Sequence, residues 1–359
     1  MAELIELLKF MIDKGASDLH ITTGTNPRFR LAGKLILIED YRILTPEDTR
    51  ELCCSFMNES QMKKFEATNE IDVSFGVKGL SRFRANIFMQ RGAVAGTFRE
   101  IPFHIKGFKE LGIPEAVEDI LKKTQGLILV TGPTGSGKST TLASMIETIN
   151  LHREAHIVTI EDPIEFLHSH NRCLINQREL DSDTPSFASA LKYVLRQDPD
   201  IVMISSVKDM PTVEAALTIA ETGHLTLASI HTNTAIQTIT RLVEMFPHPN
   251  HEYARNMLAE SLEGIISQRL IKKREGIGRV LAVEILIPTP AIRTLIKEGR
   301  INQMYPIMQT ARSSMKTMNQ SLVELAAAGL ISYEDAVNNS PIPEEIIAKM
   351  HKVKSSIDM

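Results

Sequence analysis

The sequence predicts an α/β protein in which a parallel sheet with helices on both faces follows a smaller N-terminal α+β domain. From Gly126 onward, short apolar runs alternate with helical patterns, which is typical of a parallel sheet covered on both sides. The first run, residues 127–131, leads directly into the glycine-rich segment 132–140. Before residue 102 the predicted strands are separated by glycines and preceded by helices, which indicates a separate small domain.

Composition restricts the class of protein. The 359 residues are 43% hydrophobic and 23% charged, as in globular proteins that bury a sizeable core. The formal net charge of −4, without a basic stripe, disfavours a nucleic-acid translocase. No apolar run approaches the ~20 residues of a membrane span, and the N-terminus lacks a signal-peptide cleavage site. Three cysteines without a C-x-x-C spacing indicate reduced thiols. From these observations together we expect a cytoplasmic protein without a transmembrane segment.

The N-terminal domain, residues 1–102, is expected to combine helices and strands. Its helices are predicted by apolar residues at helical spacing and, at Thr45 and Pro46, by an N-cap followed by proline. Residues 103–124 are expected to be a linker with a bridging helix that Pro114 opens. The expected helices are 2–14, one after Thr45, and 59–68, and the expected strands lie around 19–21 and 29–31 and at 71–75, 82–88 and 93–98.

Residues 125–290 are expected to form the parallel-sheet core, and residues 291–359 a C-terminal helical region. Beyond Ala235 the pattern is mainly helical, apart from a hairpin-like stretch around residues 278–287. The predicted strands are 127–131, 156–160, 201–205 and 225–230, and the predicted helices between them are 138–150, 186–196 and 210–222, the last stopped by Gly223.

A phosphate-binding loop lies between the first core strand and the helix that follows it. Its sequence fits G-x-x-x-x-G-K-[ST] at every fixed position, within the strand–loop–helix context that the motif requires. Glycines let backbone N–H groups point at phosphate oxygens, and the helix N-terminus adds a partial positive charge. Lys138 is expected to reach the β- and γ-phosphates, and the Ser139 hydroxyl to bind Mg²⁺. The expected nucleotide-binding residues are Gly132, Pro133, Thr134, Gly135, Ser136, Gly137, Lys138, Ser139 and Thr140.

Acidic residues follow the second core strand. Glu161, Asp162 and Glu165 come after the apolar run 157–160, at the strand end where ligands sit in open α/β sheets. Carboxylates there can hold the water shell of Mg²⁺ or polarise an attacking water, and their clustering favours this role over that of solvated loop residues. In P-loop proteins the strand in the position of 201–205 ends in an acid that binds metal or orients water. Here that strand ends in Ser205-Ser206, and a serine hydroxyl supplies no negative charge.

Two histidines flank the apolar run 225–228. His224 precedes it, and His231 follows it within the polar segment 229–233. We expect both to sense phosphate. Zinc binding is not supported, because no set of His, Cys or acidic residues has zinc-ligand spacing.

Two arginines, Arg82 and Arg84, fall on the same face of a predicted strand, opposite Phe83 and Ala85. They belong either to a solvated strand face or, as two guanidinium groups on one rigid face, to an arginine finger. The sequence leaves both interpretations open.

Together these segments resemble the PilT-type retraction ATPases of type IV pili, within the wider family of secretion and pilus ATPases. The resemblance implies a RecA-like P-loop ATPase domain after a PAS-like domain, and a homohexamer that binds ATP and Mg²⁺ between subunits. It assigns Glu161 and Glu165 to the catalytic Asp box, and His224 and His231 to the His box. Arg82 and Arg84 become candidates for the trans arginines that complete a neighbouring subunit's site. The implied catalytic residues are Glu161, Glu165, Lys138 and His231. The segments are ASDLHI (16–21), RFRAN (82–86), GPTGSGKST (132–140), TIEDPIEF (159–166), INQRELDSDTPSFASALKYVLRQDPD (175–200), TGHL (222–225) and SIHTN (229–233).

Two features favour retraction within that family. The chain lacks the four-cysteine zinc element usual in assembly and export ATPases, and AIRTLIKEG (291–299) is similar to the AIRNLIREG segment associated with retraction. The implied function is ATP-driven pilus retraction and twitching motility, in the cytoplasm and peripheral at the inner membrane, with the pilus platform protein as partner. Where the family reads G-E-M-R-D, residues 205–209 read SSVKD, so Ser206 replaces the catalytic glutamate. The alternative is an ATP-binding ring subunit that hydrolyses weakly and supports an active paralogous retraction ATPase.

Overall fold

The structure is a computed structural model that describes residues 2–31, 34–101, 105–275, 278–311 and 315–348. The chain divides into two units, Met1–His104 and Ile105–Met359. The predicted domain boundary at residue 102 lies outside the described residues. No helix in the described part of the chain combines the length and the apolar character that crossing a membrane requires.

The first unit is a six-stranded antiparallel sheet with helices on one face. Its strand order is β3-β2-β1-β6-β5-β4. The predicted N-cap is confirmed, because Thr45 and Asp48 form a reciprocal capping box. The predicted strands and helices of this unit are confirmed, whereas β3 was not predicted. The elements are α1 (Ala2–Asp13), β1 (Asp18–Ile21), β2 (Arg28–Leu31), β3 (Lys34–Leu37), α2 (Pro46–Cys54), α3 (Glu59–Thr68), β4 (Glu70–Val77), β5 (Ser81–Gln90) and β6 (Ala93–Ile101).

The second unit is built on a seven-stranded sheet with the order β13-β12-β7-β11-β10-β8-β9. All its pairings are parallel except that of β13 with β12. Its elements are α4 (Phe108–Leu111), α5 (Ala116–Leu121), β7 (Gly126–Thr131), α6 (Lys138–His152), β8 (His156–Glu161), β9 (Leu174–Glu179), α7 (Phe187–Val194), β10 (Ile201–Ser205), α8 (Met210–Glu221), β11 (Leu225–Ile230), α9 (Ala235–Glu244), α10 (His251–Ser261), β12 (Leu262–Lys272), β13 (Arg279–Leu286), α11 (Pro290–Lys297), α12 (Met304–Thr310), α13 (Met318–Ala327) and α14 (Tyr333–Asn338).

The central strands of this sheet are buried on both faces. Along β7, Leu127 and Leu129 pack into one apolar layer with α7 to α10, while Ile128 and Val130 pack into the opposite layer with α5 and α6. This alternation of faces explains why the strand reads as an unbroken apolar run. The predicted alternation of strands and helices on both faces of a parallel sheet is therefore confirmed.

One sequence-based expectation is wrong in part. The described residues beyond Ala235 are mainly helical, as expected, but strand β12 (Leu262–Lys272), which lies beside β7 in the sheet, was not expected. The spacing of Leu262, Ile265, Ile266 and Leu270 also fits one face of a helix, so the hydrophobic periodicity does not distinguish a helix from a strand here. Edge strand β9 was not predicted either. The finer division of the second unit at residues 124 and 290 stays a prediction.

Candidate active site

The predicted phosphate loop joins the end of β7 to the first turn of α6. Gly132 and Gly137 both have positive φ, at 149° and 90°. A Cβ on Gly132 would collide with the Gln268 carbonyl of β12 and with the Ser136 side chain. Only glycine therefore fits at position 132, where the loop passes close to the neighbouring strand.

Lys138 lies inside this loop and is only 8% exposed. Its Nζ donates to the carbonyls of Gly132 at 2.9 Å and Pro133 at 3.0 Å, and it lies 3.3 Å from His231 Nδ1. Burial lowers the pKa of Lys138, against the opposing effect of Glu165. Burial also lowers the pKa of His231, and the charges of Lys138 and Lys208 lower it further. The lowered pKa favours the neutral His231 ring, whose Nδ1 can accept from the ammonium.

Glu161 ends β8 and is 5% exposed. Its Oε1 accepts from Thr159 Oγ1 at 2.7 Å and from Gln177 Nε2 at 3.0 Å. Burial raises the pKa of Glu161 to about 7, although these hydrogen bonds act in the opposite direction. A carboxyl group of this pKa can take up or release a proton near neutral pH, as a general base requires.

The exit of β10 carries no carboxylate. Ser205 lies opposite Glu161 in the β8–β10 pairing, and its Oγ is 3.4 Å from Ser229 Oγ. Farther along, Lys208 Nζ contacts Asp162 Oδ2 at 2.7 Å, which links the exits of β10 and β8. The carboxylate directly opposite the end of β10 is therefore that of Glu161, at the exit of β8.

A small cavity of about 10 Å³ lies between the phosphate loop and the exits of β8 and β10. Its lining includes Ser139, Glu161, Glu165 and Ser205. Hydroxyl and carboxylate oxygens are the protein ligands that suit Mg²⁺ and its bound waters. The donor set at this edge of the sheet therefore fits Mg²⁺.

Comparison with known proteins identifies the family. The family described as type II/IV secretion system proteins matches residues 100–277. The type IV pilus retraction ATPase PilT of Pseudomonas aeruginosa is 46% identical over 343 residues, which are 95% of this chain and 99% of that protein. This chain belongs to the PilT-type pilus retraction ATPases. A twitching motility protein of Neisseria gonorrhoeae is 46% identical over 82% of this chain and 79% of its own length.

A solved structure supports the same assignment. The crystal structure of the pilus retraction motor PilT with bound ADP has a TM-score of 0.90 and 50% identity, covering 95% of this chain and 98% of its own. The predicted resemblance is confirmed, as is the fold class, a RecA-like P-loop ATPase domain with a smaller PAS-like N-terminal domain. Like the other PilT-type ATPases, this chain is a nucleotide-binding P-loop ATPase of pilus retraction. The roles of its individual residues stay predictions.

One site prediction is wrong in part, because the sheet separates the two histidines of the His box. His231 follows β11 and reaches Lys138, but His224 precedes β11, and its carbonyl accepts from Gly126 N at the start of β7. The six residues of β11 span roughly 20 Å. In a PilT-type subunit folded like this one, His224 therefore cannot sense phosphate in its own loop, and a role at a site between subunits stays a prediction.

The arginine pair lies on the polar face of β5. Phe83 and Ala85 are buried on the opposite face, as predicted. Arg84 Nη2 lies 3.8 Å from Asp72 Oδ1 on β4, an acidic neighbour that sequence distance concealed. Arg82 Nε is buried without a hydrogen-bond partner among the described residues. The structure thus confirms the shared face and leaves the arginine-finger role as a prediction.

Sequence reasoning missed the support that β12 gives to the phosphate loop. Gln268 is 1% exposed, and its Nε2 donates to the Ser136 carbonyl at 2.8 Å. Ser267 Oγ lies 2.7 Å from Thr131 Oγ1 at the end of β7. The polar pair Ser267-Gln268 within an apolar run was the available signal, and it was hidden because the segment was assigned to a helix.

The pKa of Glu161 leads to a prediction about pH. If Glu161 accepts a proton during hydrolysis, kcat/KM rises with pH through about 7, because the carboxyl group must first lose its own proton. Well below that pH we expect a fall of ~10-fold per pH unit. The measurement is a pH profile of ATP hydrolysis in wild type and in Glu161→Gln, which should lose this limb. A wild-type profile that is flat across the neutral range would contradict the assignment.

Proposed function

We propose that this chain assembles into a homohexameric ring that hydrolyses ATP with Mg²⁺ to retract type IV pili. The observation that carries the proposal is the convergence of Lys138, His231 and Glu161 beside Ser139, at the exits of parallel strands behind an intact phosphate loop. We place the ring in the cytoplasm, peripheral at the inner membrane. There it acts on the pilus platform protein.

Within each subunit, residues 132–140 bind the nucleotide. Backbone N–H groups of the loop and the N-terminus of α6 face the phosphates. Lys138, whose Nζ is held at the loop by the Gly132 and Pro133 carbonyls, exchanges these partners for phosphate oxygens when the nucleotide binds.

Hydrolysis is the attack of water on the γ-phosphate. Glu161 orients that water and accepts its proton, and Glu165, exposed at the same edge, adds a second carboxylate. His231 contacts the lysine that holds the phosphates, so it can report their presence to helix α9 after it. Ser139, with waters held by Glu161 and Glu165, would bind Mg²⁺, which neutralises charge that develops on the phosphate oxygens.

The arginine pair supplies a test of the ring. In solution with Mg²⁺-ATP, the chain should sediment and scatter light as a hexamer. Arg82→Ala and Arg84→Ala should each lower ATP turnover more than ATP affinity. Trans arginines stabilise charge in the transition state, and their loss typically lowers kcat by ~10³-fold or more in related phosphoryl transfers. The measurements are light scattering, steady-state phosphate release and ATP affinity.

Arg28→Ala is a matched control, because Arg28 is an exposed arginine of β2 whose guanidinium donates to Thr25 Oγ1. It should leave turnover unchanged. A chain that is monomeric at micromolar concentration with Mg²⁺-ATP would overturn the ring. Equal losses of turnover in all three variants would show a general effect of charge.

A second candidate function rests on Ser206. In this candidate function, the ring binds ATP but, without the acid at position 206, hydrolyses it too slowly to drive a motor by itself, and it supports an active paralogous retraction ATPase. The phosphate-release assay separates the two, because the second candidate requires near-zero turnover by the assembled hexamer and the first does not.

A further inference from the structure

Edge strand β9 faces the segment that carries the candidate catalytic acids. In the parallel pairing of β8 with β9, Gln177 lies opposite Thr159 and Glu179 lies opposite Glu161. The chain between the two strands leaves β8 at Glu161 and passes through Glu165 before it returns. We call residues 162–168 the acid loop.

Gln177 forms three hydrogen bonds with this region. Its Nε2 donates to Glu161 Oε1 at 3.0 Å and to the Phe166 carbonyl at 2.9 Å. Its Oε1 accepts from the backbone N–H of His168 at 2.9 Å. One amide side chain therefore connects the buried carboxylate to two backbone positions of the returning loop.

These bonds fix the direction of the Glu161 carboxylate. Thr159 Oγ1 and Gln177 Nε2 both donate to Oε1, so the carboxylate is held from two sides through one oxygen. The same side chain lines the cavity that Ser139 and Ser205 also line. A fixed carboxylate orients a water better than a rotating one, and misplacement by ~1 Å can cost ~10²-fold in rate.

Glu179 holds the same loop at a second point. It is 5% exposed, and its Oε2 accepts from Ile164 N at 3.1 Å. Because Glu179 holds the loop at residue 164, one attachment of the loop to β9 remains when the bonds of Gln177 are removed. Their distinct effect is on Glu161.

We propose that Gln177 is a positioning residue for ATP hydrolysis, which acts by holding the Glu161 carboxylate and the acid loop in register with the phosphate loop. The inference rests on the proposed role of Glu161 as the acid that orients water. The position of Glu161 matters more in this chain because Ser206 supplies no carboxylate at the end of β10, so the acid that orients water comes from the exit of β8.

The test compares two variants of Gln177. Gln177→Leu removes all three bonds, while Gln177→Glu keeps the side-chain volume and an acceptor for His168 N but places a second acceptor against Glu161 Oε1. Both should lower single-turnover hydrolysis by ~10-fold or more and leave ATP affinity within about twofold. Asn176→Leu is the matched control. Asn176 lies beside Gln177 on β9, but its side chain pairs with His156 Nε2 at 2.9 Å, so this variant should hydrolyse ATP at the wild-type rate.

A double-mutant cycle with Glu161→Gln isolates the mechanism. If Gln177 acts through Glu161, Gln177→Leu should have little further effect on the rate in the Glu161→Gln background. Multiplicative losses would overturn the proposal, because Gln177 would then act independently of Glu161. So would a parallel fall in ATP affinity and rate, which a loosened fold produces.

The same variants distinguish this inference from the proposed function. If Glu161→Gln lowers hydrolysis and neither Gln177 variant does, only the positioning role fails. If Glu161→Gln leaves the rate unchanged, the role of Glu161 fails, and the role of Gln177 fails with it.

Discussion

Lys138→Ala should lower ATP turnover by ~10²–10³-fold or more, together with ATP affinity, while the fold stays intact. The ammonium is the one charged donor inside the phosphate loop, where its Nζ bonds the Gly132 and Pro133 carbonyls. Removing it takes away both the attraction for the β- and γ-phosphates and the charge that stabilises the transition state. We expect ATP affinity by fluorescent-nucleotide titration and single-turnover hydrolysis to fall together.

The fold should survive the change because the buried ammonium is not a strong source of stability. Burial lowers the pKa of Lys138, which means that the folded chain disfavours the charged form relative to water. Thermal unfolding without nucleotide should therefore change little, and only the stabilisation by added ATP should disappear. Lys122→Ala is the control: Lys122 pairs with Asp119 on the surface, and its loss should alter neither quantity. ATP affinity equal to wild type in Lys138→Ala would contradict the proposed contact.

The phosphate loop and its flanking elements could be predicted from sequence because their determinants are local. The apolar run of β7, the glycines at positive φ and the apolar face of α6 all lie within one continuous segment. Strand β9 gave no such signal. Its sequence LINQRE turns polar where Gln177 and Glu179 bond the acid loop, so tertiary contacts, rather than an apolar pattern, explain its place at the sheet edge.

The positions of the histidines show a different limit. His224 and His231 look equivalent in sequence, because each borders the same apolar strand. In a parallel sheet only the carboxyl end of that strand reaches the phosphate loop, so the topology, once assigned, excludes His224 from its own subunit's site. The hydrogen bond from buried Gln268 to the phosphate loop could not be predicted, because it depends on β12 lying directly beside β7 and β12 was not recognised as a strand.

Ser205→Gly/Ser206→Glu should raise kcat by ~10–10²-fold and change ATP affinity little. A glutamate at the end of this strand contributes a negative charge beside Mg²⁺ and an acceptor for the attacking water, and groups of this kind are typically worth ~10²–10⁴-fold in rate. The expected gain is smaller because Glu161 and Glu165 already supply part of that function at the neighbouring exit. The glycine gives the backbone room at the cost of the Ser205–Ser229 contact of 3.4 Å.

The structure adds a second expectation for this variant. Ser205 lies opposite Glu161, so a new carboxylate at the next residue would raise the pKa of Glu161 further by like-charge repulsion. Glu161 would then be mostly protonated at neutral pH, and the new carboxylate would take over as the acceptor. Glu161→Gln should therefore cost the natural chain more than the variant. The comparison is single-turnover hydrolysis at matched hexamer concentration, with Ser205→Gly alone as the control. Equal rates in wild type and the double variant would mean that Ser206 does not limit turnover, and that the β8 exit, held by Gln177, already supplies all the base the reaction uses.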